Sequence, residues 1–144
     1  MSGDLKIPML LQDFEKALEL TNDESARADI RSERGAVLNK QKQYYKASKE
    51  LKEAVRLNSK DSRIWHLLGV AVMCLGDLEE SYRAFSKAIE LKPQDADHWH
   101  SLAMAKKEVQ LRFLPPHKPF GNEGPRVSNI DMPTLLVPLH NHAP

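Results

Sequence analysis

The stretch that decides the fold of this 144-residue chain spans residues 62–95 and reads SRIWHLLGVAVMCLGDLEESYRAFSKAIELKPQD. Two helical patterns of apolar residues flank Gly76 and Asp77, which are typical turn residues. The same arrangement begins one period earlier, at Ala28, and one period later, at Ala96, where only its first half follows. A repeat of about 34 residues predicts a stack of helix pairs, because a single pair cannot bury its apolar face alone.

The repeat predicts an all-α fold, a short α-solenoid of antiparallel helix pairs with a Pro-rich C-terminal tail. We expect helices over residues 10–20, 24–41, 44–57, 62–75, 78–91 and 96–112. The first of these has the pattern of the second helix of a pair. The predicted organisation is a partial helix pair in residues 1–23, helical repeats in 24–112 (28–61, 62–95 and a half repeat, 96–112), and a flexible or extended tail in 113–144.

Composition favours a soluble protein without strong electrostatic preferences. The chain has 21 basic and 20 acidic side chains, and this near-neutral balance gives no reason to expect nucleic acid or an anionic membrane as a partner. The first residues lack the pattern of a secretory signal, and the strongest apolar run, residues 67–75, is too short to cross a bilayer. We therefore predict an intracellular, cytoplasmic protein. Cys74 is the only cysteine, and its apolar neighbours predict a buried, inert thiol.

Seven residues of the central stretch lie at the spacing of a known repeat: Trp65, Leu68, Gly69, Ser81, Phe85, Ala88 and Pro93. In these residues the stretch resembles the tetratricopeptide repeat (TPR) family. The preceding repeat keeps Gly35, Ala47, Leu51 and Ala54, but has Arg31 and Arg34 where the family prefers Trp and Leu, and Ser59 where it prefers Pro. The half repeat opens with Trp99, Leu102 and Ala103. The resemblance covers roughly residues 10–112.

Small residues recur where the two helices of a pair should cross. Antiparallel helices approach to about 8–10 Å only when small side chains meet at the crossing. We expect Gly69 and Ser81 to form this crossing in the central repeat, and Gly35 and Ala47 to form it in the preceding one. The large side chains of Trp65, Leu68, Phe85 and Leu91 should fill the space on either side, while Ala88 leaves room for the following pair.

The resemblance implies a concave surface, lined by the first helix of each pair, that binds a peptide or a partner protein. Carried over by repeat position, the inward residues would be Asp29, Ser32, Ala36 and Asn39, then Arg63, His66, Val70 and Met73, then Asp97, His100, Met104 and Lys107. We predict partner contacts at the last eight of these. The chain is accordingly interpreted as a non-catalytic protein-binding module, a scaffold or adaptor.

One specific activity of the resembled family is a clamp that holds the C-terminal carboxylate of heat-shock chaperones through Lys and Asn side chains. The corresponding positions here are Ser32, Ala36, Leu67, Asp97 and Ser101, so no basic fork is present. Asp97 would also repel an acidic peptide. We predict that this chain does not provide such a clamp.

The histidines are the candidates for a chemical site. His66 and His100 occupy the same position in successive repeats, so we expect them to lie side by side on the groove wall. No third or fourth ligand accompanies them, and the tail pair His140 and His142 is a weak signal, so we predict polar contacts and no metal site. The sequence has no phosphate-binding loop, nucleophile elbow, HExxH motif or cysteine pair. We predict neither an enzyme nor a cofactor.

Two other functions stay open. A structural subunit would self-associate or join a larger assembly through an uncovered apolar end formed by Trp99, Leu102, Val109, Leu111, Phe113 and Leu114. The tail run Leu135, Leu136, Val137 and Leu139 would fold back over that end, enter the groove or dock on another chain. RNA binding is the less favoured alternative because the charge is near neutral. A fragment of a longer TPR protein would also account for the missing helices.

Overall fold

The computed structural model describes residues 2–113, with side chains from Lys6 onward. Its elements are the helices α1 (Ser2–Leu20), α2 (Glu24–Lys40), α3 (Tyr44–Leu57), α4 (Ser62–Cys74), α5 (Leu78–Leu91) and α6 (Ala96–Phe113). Over that range the structure contains no β-strand, and the all-α prediction is confirmed. Helix α1 begins well before the apolar pattern at Leu10, and Pro8 lies inside it. The residues before Leu10 show no helical spacing of apolar side chains, so the sequence did not predict this extension of α1.

Aspartate side chains fix the starts of four helices, and before α6 the carboxylate of Asp95 accepts a hydrogen bond from the Asp97 N–H at 2.9 Å. The carboxylate of Asp23 accepts a hydrogen bond from the Ala26 N–H at 2.8 Å, before α2. Asp61 accepts from the Arg63 N–H at 2.9 Å, before α4, and Asp77 accepts from the Glu80 N–H at 3.1 Å, before α5. Each carboxylate satisfies a backbone donor that has no partner within its helix, so these loops set the helix boundaries.

The turns inside the two helix pairs share one backbone geometry. Gly76 has a φ of +94°, and Lys42, at the equivalent position of the preceding repeat, has a φ of 63°. Glycine tolerates this left-handed region because it has no Cβ, whereas lysine adopts it at a cost on the order of 1 kcal/mol. The preceding repeat therefore closes its turn less favourably than the central one.

Tryptophan indoles anchor the loops that join successive pairs. The Trp65 Nε1–H donates to the Ser59 carbonyl at 2.7 Å, and the Trp99 Nε1–H donates to the Pro93 carbonyl at the same distance. The residues before these carbonyls, Asn58 and Lys92, have φ values of −145° and −142°. The two loops thus follow the same path, although only one contains the proline of the repeat pattern.

The helices pack as a stack of antiparallel pairs. Helix α2 pairs with α3, and α4 pairs with α5, while α3 packs on α4 and α5 packs on α6. Helix α1 packs on α2. Contacts between α2 and α4 and between α4 and α6 place these first helices in one row. This arrangement confirms the predicted TPR-type solenoid and makes that row the surface on which the predicted site residues lie.

The core has two adjoining clusters. The larger is formed by α2, α3 and α4, and includes the fully buried Leu51 and Ile64. The smaller contains Tyr82, Phe85, Leu102 and Ala105, and it fastens α6 to the central repeat. Ala47, Ala54, Ser81 and Ala88 are all fully buried, as expected for small residues between closely packed helices.

The contacts of the two helical glycines refine the predicted crossings. A Cβ added to Gly69 would lie 2.6 Å from Cδ1 of Phe85, and a Cβ added to Gly35 would lie 2.5 Å from Cγ of Leu51. The atoms nearest each missing Cβ thus belong to the large residue of the second helix, and not to Ser81 or Ala47. Each glycine provides the space for that side chain.

The prediction of a buried thiol at Cys74 is wrong, because this residue is exposed. It ends α4, whose buried side chains include Leu68, Ala71 and Val72, and the adjacent Leu75 is also exposed. The apolar run suggested burial, but its last residues pass beyond the packed part of the helix.

Within residues 2–113, every helix is too short or too polar to cross a membrane. The tail predicted for 113–144 lies outside the described residues, except Phe113, which ends α6. Leu114, the apolar run 135–139, His140 and His142 likewise lie outside them.

Candidate partner-binding groove

The predicted inward residues differ in how accessible the fold leaves them. All four predicted residues of α6 are exposed, whereas only the first of the four predicted residues of α4 is. The exposed members of the whole set are Asp29, Arg63, Asp97, His100, Met104 and Lys107. Ser32 is buried, and Ala36, Asn39, His66, Val70 and Met73 are half-buried. A partner approaching this face would therefore meet α6 and the beginning of α4 first.

Polar side chains of this face join α2 to α4. Asn39 Nδ2 donates to the Leu67 carbonyl at 3.1 Å. Arg63 Nη1 donates to Ser32 Oγ at 3.4 Å, and Arg63 Nη2 lies 3.3 Å from Glu33 Oε2. These bonds couple neighbouring first helices, so Arg63 is oriented by the scaffold while about half of its side chain stays exposed.

Two predicted contact residues form the floor of this face. Val70 and Met73 pack against the smaller core cluster, which contains Tyr82 and Phe85. Because their side chains are partly used in this packing, they present limited surface to a ligand. In a partner site, Val70 and Met73 would define the shape of the surface, and the exposed side chains of α6 would make most of the contacts.

The structure pairs His66 with a different histidine from the one the repeat predicted. His66 Nδ1 lies 3.0 Å from His98 Nδ1, and the ring centroids are 5.0 Å apart. His100, the predicted neighbour, is exposed. His98 and His100 are two residues apart on α6, about 200° around the helix axis, so they lie on different faces and only His98 is turned toward α4. The signal that could have indicated His98 is its repeat position, which holds Ile30 and Ile64 in the earlier repeats.

The surroundings of His66 favour its neutral form. Its ring contacts Phe85 at a centroid distance of 5.5 Å, and its Nε2 lies 3.4 Å from Ser101 Oγ. Burial, and then the neighbouring His98, lower the pKa of His66, while the carboxylates of Asp97 and Asp95 act in the opposite direction. At neutral pH the groove therefore contains an uncharged imidazole beside two acidic side chains.

A cleft of about 880 Å³ lies between the starts of α4 and α6 and the loops that precede them. Its lining includes the predicted residues Arg63, His66 and Asp97, together with the basic residues Lys60 and Lys92. The acidic residues Asp61 and Asp95 also line it, so both signs of charge are present. The cleft is large enough for several side chains of a ligand and shows no dominant charge.

No cluster of three or more His, Cys, Asp or Glu side chains that could hold a metal ion occurs in the described part of the chain. One of the two carboxylates near His66 and His98, that of Asp95, lies 3.5 Å from His98 Nε2. The histidine pair is thus a hydrogen-bonded contact between α4 and α6.

The end of the stack formed by α6 combines buried and exposed apolar residues. Leu102 and Val109 are buried, whereas Trp99 and Leu111 are each 51% exposed and Phe113 is 46% exposed. Ala103, at the repeat position of Gly69, is exposed as well. Over residues 2–113, no helix covers this side of α6 as α5 covers α4.

Residues 62–95 match the family model described as Tetratricopeptide repeat. Similar curated proteins are Tetratricopeptide repeat-containing protein trd-1 of Caenorhabditis elegans and Heat shock protein STI1 of Saccharomyces cerevisiae, each 28% identical, over 95 and 110 residues. Tetratricopeptide repeat protein 37 of Xenopus laevis is 29% identical over 107 residues. These alignments cover 66%, 73% and 70% of this chain but 12%, 19% and 7% of the three relatives. The chain therefore spans less than a fifth of each relative.

Two solved structures share the fold. The MamA RS-1 ArsTM double mutant aligns with a TM-score of 0.66 at 22% identity, over 96% of this chain and 68% of that one. MamA 41-end from Desulfovibrio magneticus RS-1 aligns with a TM-score of 0.67 at 24% identity, over 91% and 70%. The described part of the chain is thus a TPR-type α-solenoid. Its central repeat matches the tetratricopeptide repeat model, as the residues of that stretch indicated.

Proposed function

We propose that this chain is a non-catalytic interaction module that binds a partner peptide or protein on the concave face formed by α2, α4 and α6. The observation that carries the proposal is the cleft of about 880 Å³ between α4 and α6, lined by side chains of both helices. Its volume falls in the range of known ligand sites. We propose a cytoplasmic location for the module, because an exposed thiol such as Cys74 stays reduced there.

The charges of the cleft indicate the chemistry of the partner. Lys60, Arg63 and Lys92 lie along the same lining as Asp61, Asp95 and Asp97. A strongly acidic or strongly basic segment would meet like charge at several points, and like charge opposes binding. The expected partner is a segment of mixed charge that positions its own charges against this pattern.

An apolar side chain in that segment would add to the contact. Met104 is 41% exposed on α6 and is flanked along the helix by the exposed His100 and Lys107. Methionine adapts its shape to different apolar groups, and the two polar neighbours can orient the bound backbone. Together with Arg63 and Asp97, these three residues are the exposed part of the predicted contact set.

The test compares two variants of the full chain. One replaces exposed residues of the groove with glutamate, and the other replaces exposed residues of the outer face with glutamate. Peptides are selected on the wild type from a displayed library, and their Kd is then measured for R63E/H100E/M104E and for R83E/K87E, which carry the same change in formal charge. The first variant changes Arg63 of the cleft and two exposed residues of α6. Arg83 and Lys87 lie on α5 in exposed ion pairs, which contribute little to stability. We expect the groove variant to lose binding and the α5 variant to keep it. Equal affinities of both variants would contradict the concave face as the site.

A structural subunit is the second candidate, and the exposed apolar residues of α6 favour it. Trp99, Leu111 and Phe113, all on α6, each leave about half of their surface in solvent, and exposed apolar surface of this kind is typical of interaction sites. If this face mediates assembly, the mass measured by light scattering should rise with concentration and fall to the monomer value in the L111E/F113E variant. A mass independent of concentration would rule out assembly through this face.

A further inference from the structure

A histidine occupies a core position of the stack. Ile30, Ile64 and His98 hold the same position in three successive repeats. Ile64 is fully buried, and His98 is only 4% exposed. The half repeat thus carries an ionisable side chain where the central repeat carries a hydrocarbon.

The burial of His98 leaves one of its nitrogens without a hydrogen bond. Its Nε2 is buried and has no partner within hydrogen-bonding geometry among the described residues. The nearby carboxylate oxygen Oδ2 of Asp95 lies at 3.5 Å. Burying an unsatisfied polar atom costs free energy, so packing alone does not account for a histidine at this position.

The other nitrogen joins α6 to α4. His98 Nδ1 and His66 Nδ1 are 3.0 Å apart, a distance at which one nitrogen donates and the other must offer its lone pair. Only one of the two Nδ1 atoms can therefore carry a proton. The contact is compatible with two neutral rings or one charged ring, but not with two charged rings.

The pair lines the cleft and is flanked by aromatic, polar and charged side chains. Phe85 of α5 lies against His66, and Ser101 of α6 faces its other nitrogen. Arg63 of α4 and Lys92 line the same cleft, and both add positive charge. Asp95 and Asp97 supply negative charge from the start of α6. Burial and the neighbouring His98 outweigh these carboxylates, because the pKa of His66 is lowered on balance.

We infer that the His66–His98 pair is an acid-sensitive contact between α4 and α6. When at most one ring is protonated, the shared hydrogen bond adds an α4–α6 contact to the core packing that fastens α6 to the central repeat. When both rings become protonated, the Nδ1 hydrogen bond is lost and two positive charges face each other in a partly buried space, so α6 separates from α4. This property belongs to the free protein and does not rest on the proposed function.

Hydrogen exchange of the full chain, followed by mass spectrometry at pH 7.5 and pH 5.0, tests the inference. After correction for intrinsic exchange rates, peptides from α6 should open more often at pH 5.0 than at pH 7.5, because protonation of the pair favours the open state. Helices α2 and α3 contain no histidine and serve as the internal reference.

Three variants decide the result. H98I restores the isoleucine of the other repeats, and H66Q keeps a polar group that cannot take up a proton in this range. Either variant should abolish the acid response of α6, and H66Q decides the question if H98I fails to fold. H100Q, at the exposed histidine of α6, should keep it. A wild-type α6 that responds no more than α3, or a response unchanged in H66Q, would overturn the inference.

Discussion

The ring of Phe85 covers the backbone of Gly69 so closely that a Cβ there would lie 2.6 Å from Cδ1 of the ring. We predict that G69A destabilises the protein by about 1–3 kcal/mol, because the fully buried ring cannot move without disturbing the core. This loss should exceed the gain of up to about 1 kcal/mol that alanine provides through helix propensity. Urea denaturation measures the difference.

The same repeat position in α6 provides the matched control. Ala103 is exposed and has no ring above it in the described part of the chain. A103G should therefore cost only the helix propensity, about 0.5–1 kcal/mol. Glycine is then the better residue at position 69 and alanine the better one at position 103. If alanine proved the more stable residue at both positions, the steric explanation would be wrong.

The sequence predicted the stack of helix pairs correctly, but it did not predict which side chains meet between successive pairs. The positions of Gly69, Phe85 and Ala88 follow from the period and from the packing of one pair, which is why the fold class and the bounds of α2 to α6 were predictable, whereas the start of α1 was not. The meeting of His66 with His98 depends on which face of α6 packs against α4. Equivalence of repeat positions does not show which side chains meet across two layers, so it predicted His100 instead.

The loop before α4 offers a stabilising substitution. Ser59 stands where the next repeat has Pro93, and the preceding residues have nearly the same extended φ, −145° for Asn58 and −142° for Lys92. Proline requires an extended residue before it, and among the described residues the Ser59 N–H makes no hydrogen bond that proline would remove. We predict that S59P raises the free energy of unfolding by about 0.4–1 kcal/mol.

Lys60 is the matched control in the same loop. Its N–H donates to Asn58 Oδ1 at 3.1 Å, so K60P should lose that bond and destabilise the protein. Both variants leave the Trp65 hydrogen bond to the Ser59 carbonyl possible. A stability order with K60P above S59P in urea denaturation would refute the argument from the shared loop path.

The phenol of Tyr82 should make stability depend on alkaline pH. Burial raises the pKa of Tyr82 to about 12, from an ordinary value of about 10. A group that loses its proton less readily in the folded state contributes stability that is complete below pH 10 and is lost as the pH rises through 10 toward 12. We therefore expect unfolding free energies measured in urea at pH 9, 10 and 11 to fall, and to fall less steeply in Y82F. Y45F, at an exposed tyrosine, should keep the wild-type slope, and identical slopes in all three chains would exclude this source.

The arginines of the preceding repeat replace apolar packing with an ion network. Arg31 Nη1 lies 2.9 Å from Glu50 Oε1, and Arg34 Nη1 lies 3.7 Å from Glu50 Oε2, so one carboxylate of α3 serves both cations. Glu50 is only 17% exposed, and the Arg31 Nε is already buried without a partner among the described residues. Removing the carboxylate charge leaves two poorly compensated arginines, although Arg34 keeps a contact with Glu15 at 2.7 Å.

We predict that E50Q lowers the free energy of unfolding by about 1–3 kcal/mol, the range for a lost hydrogen bond to a charged group at a largely buried site. Glu53 provides the comparison on the same helix, because its ion pair with Arg56 is more exposed and E53Q should change stability little. Urea denaturation of both variants in low and high salt distinguishes them, since the Glu50 contribution should be screened less. Equal losses in E50Q and E53Q would mean that Glu50 acts only as a surface charge.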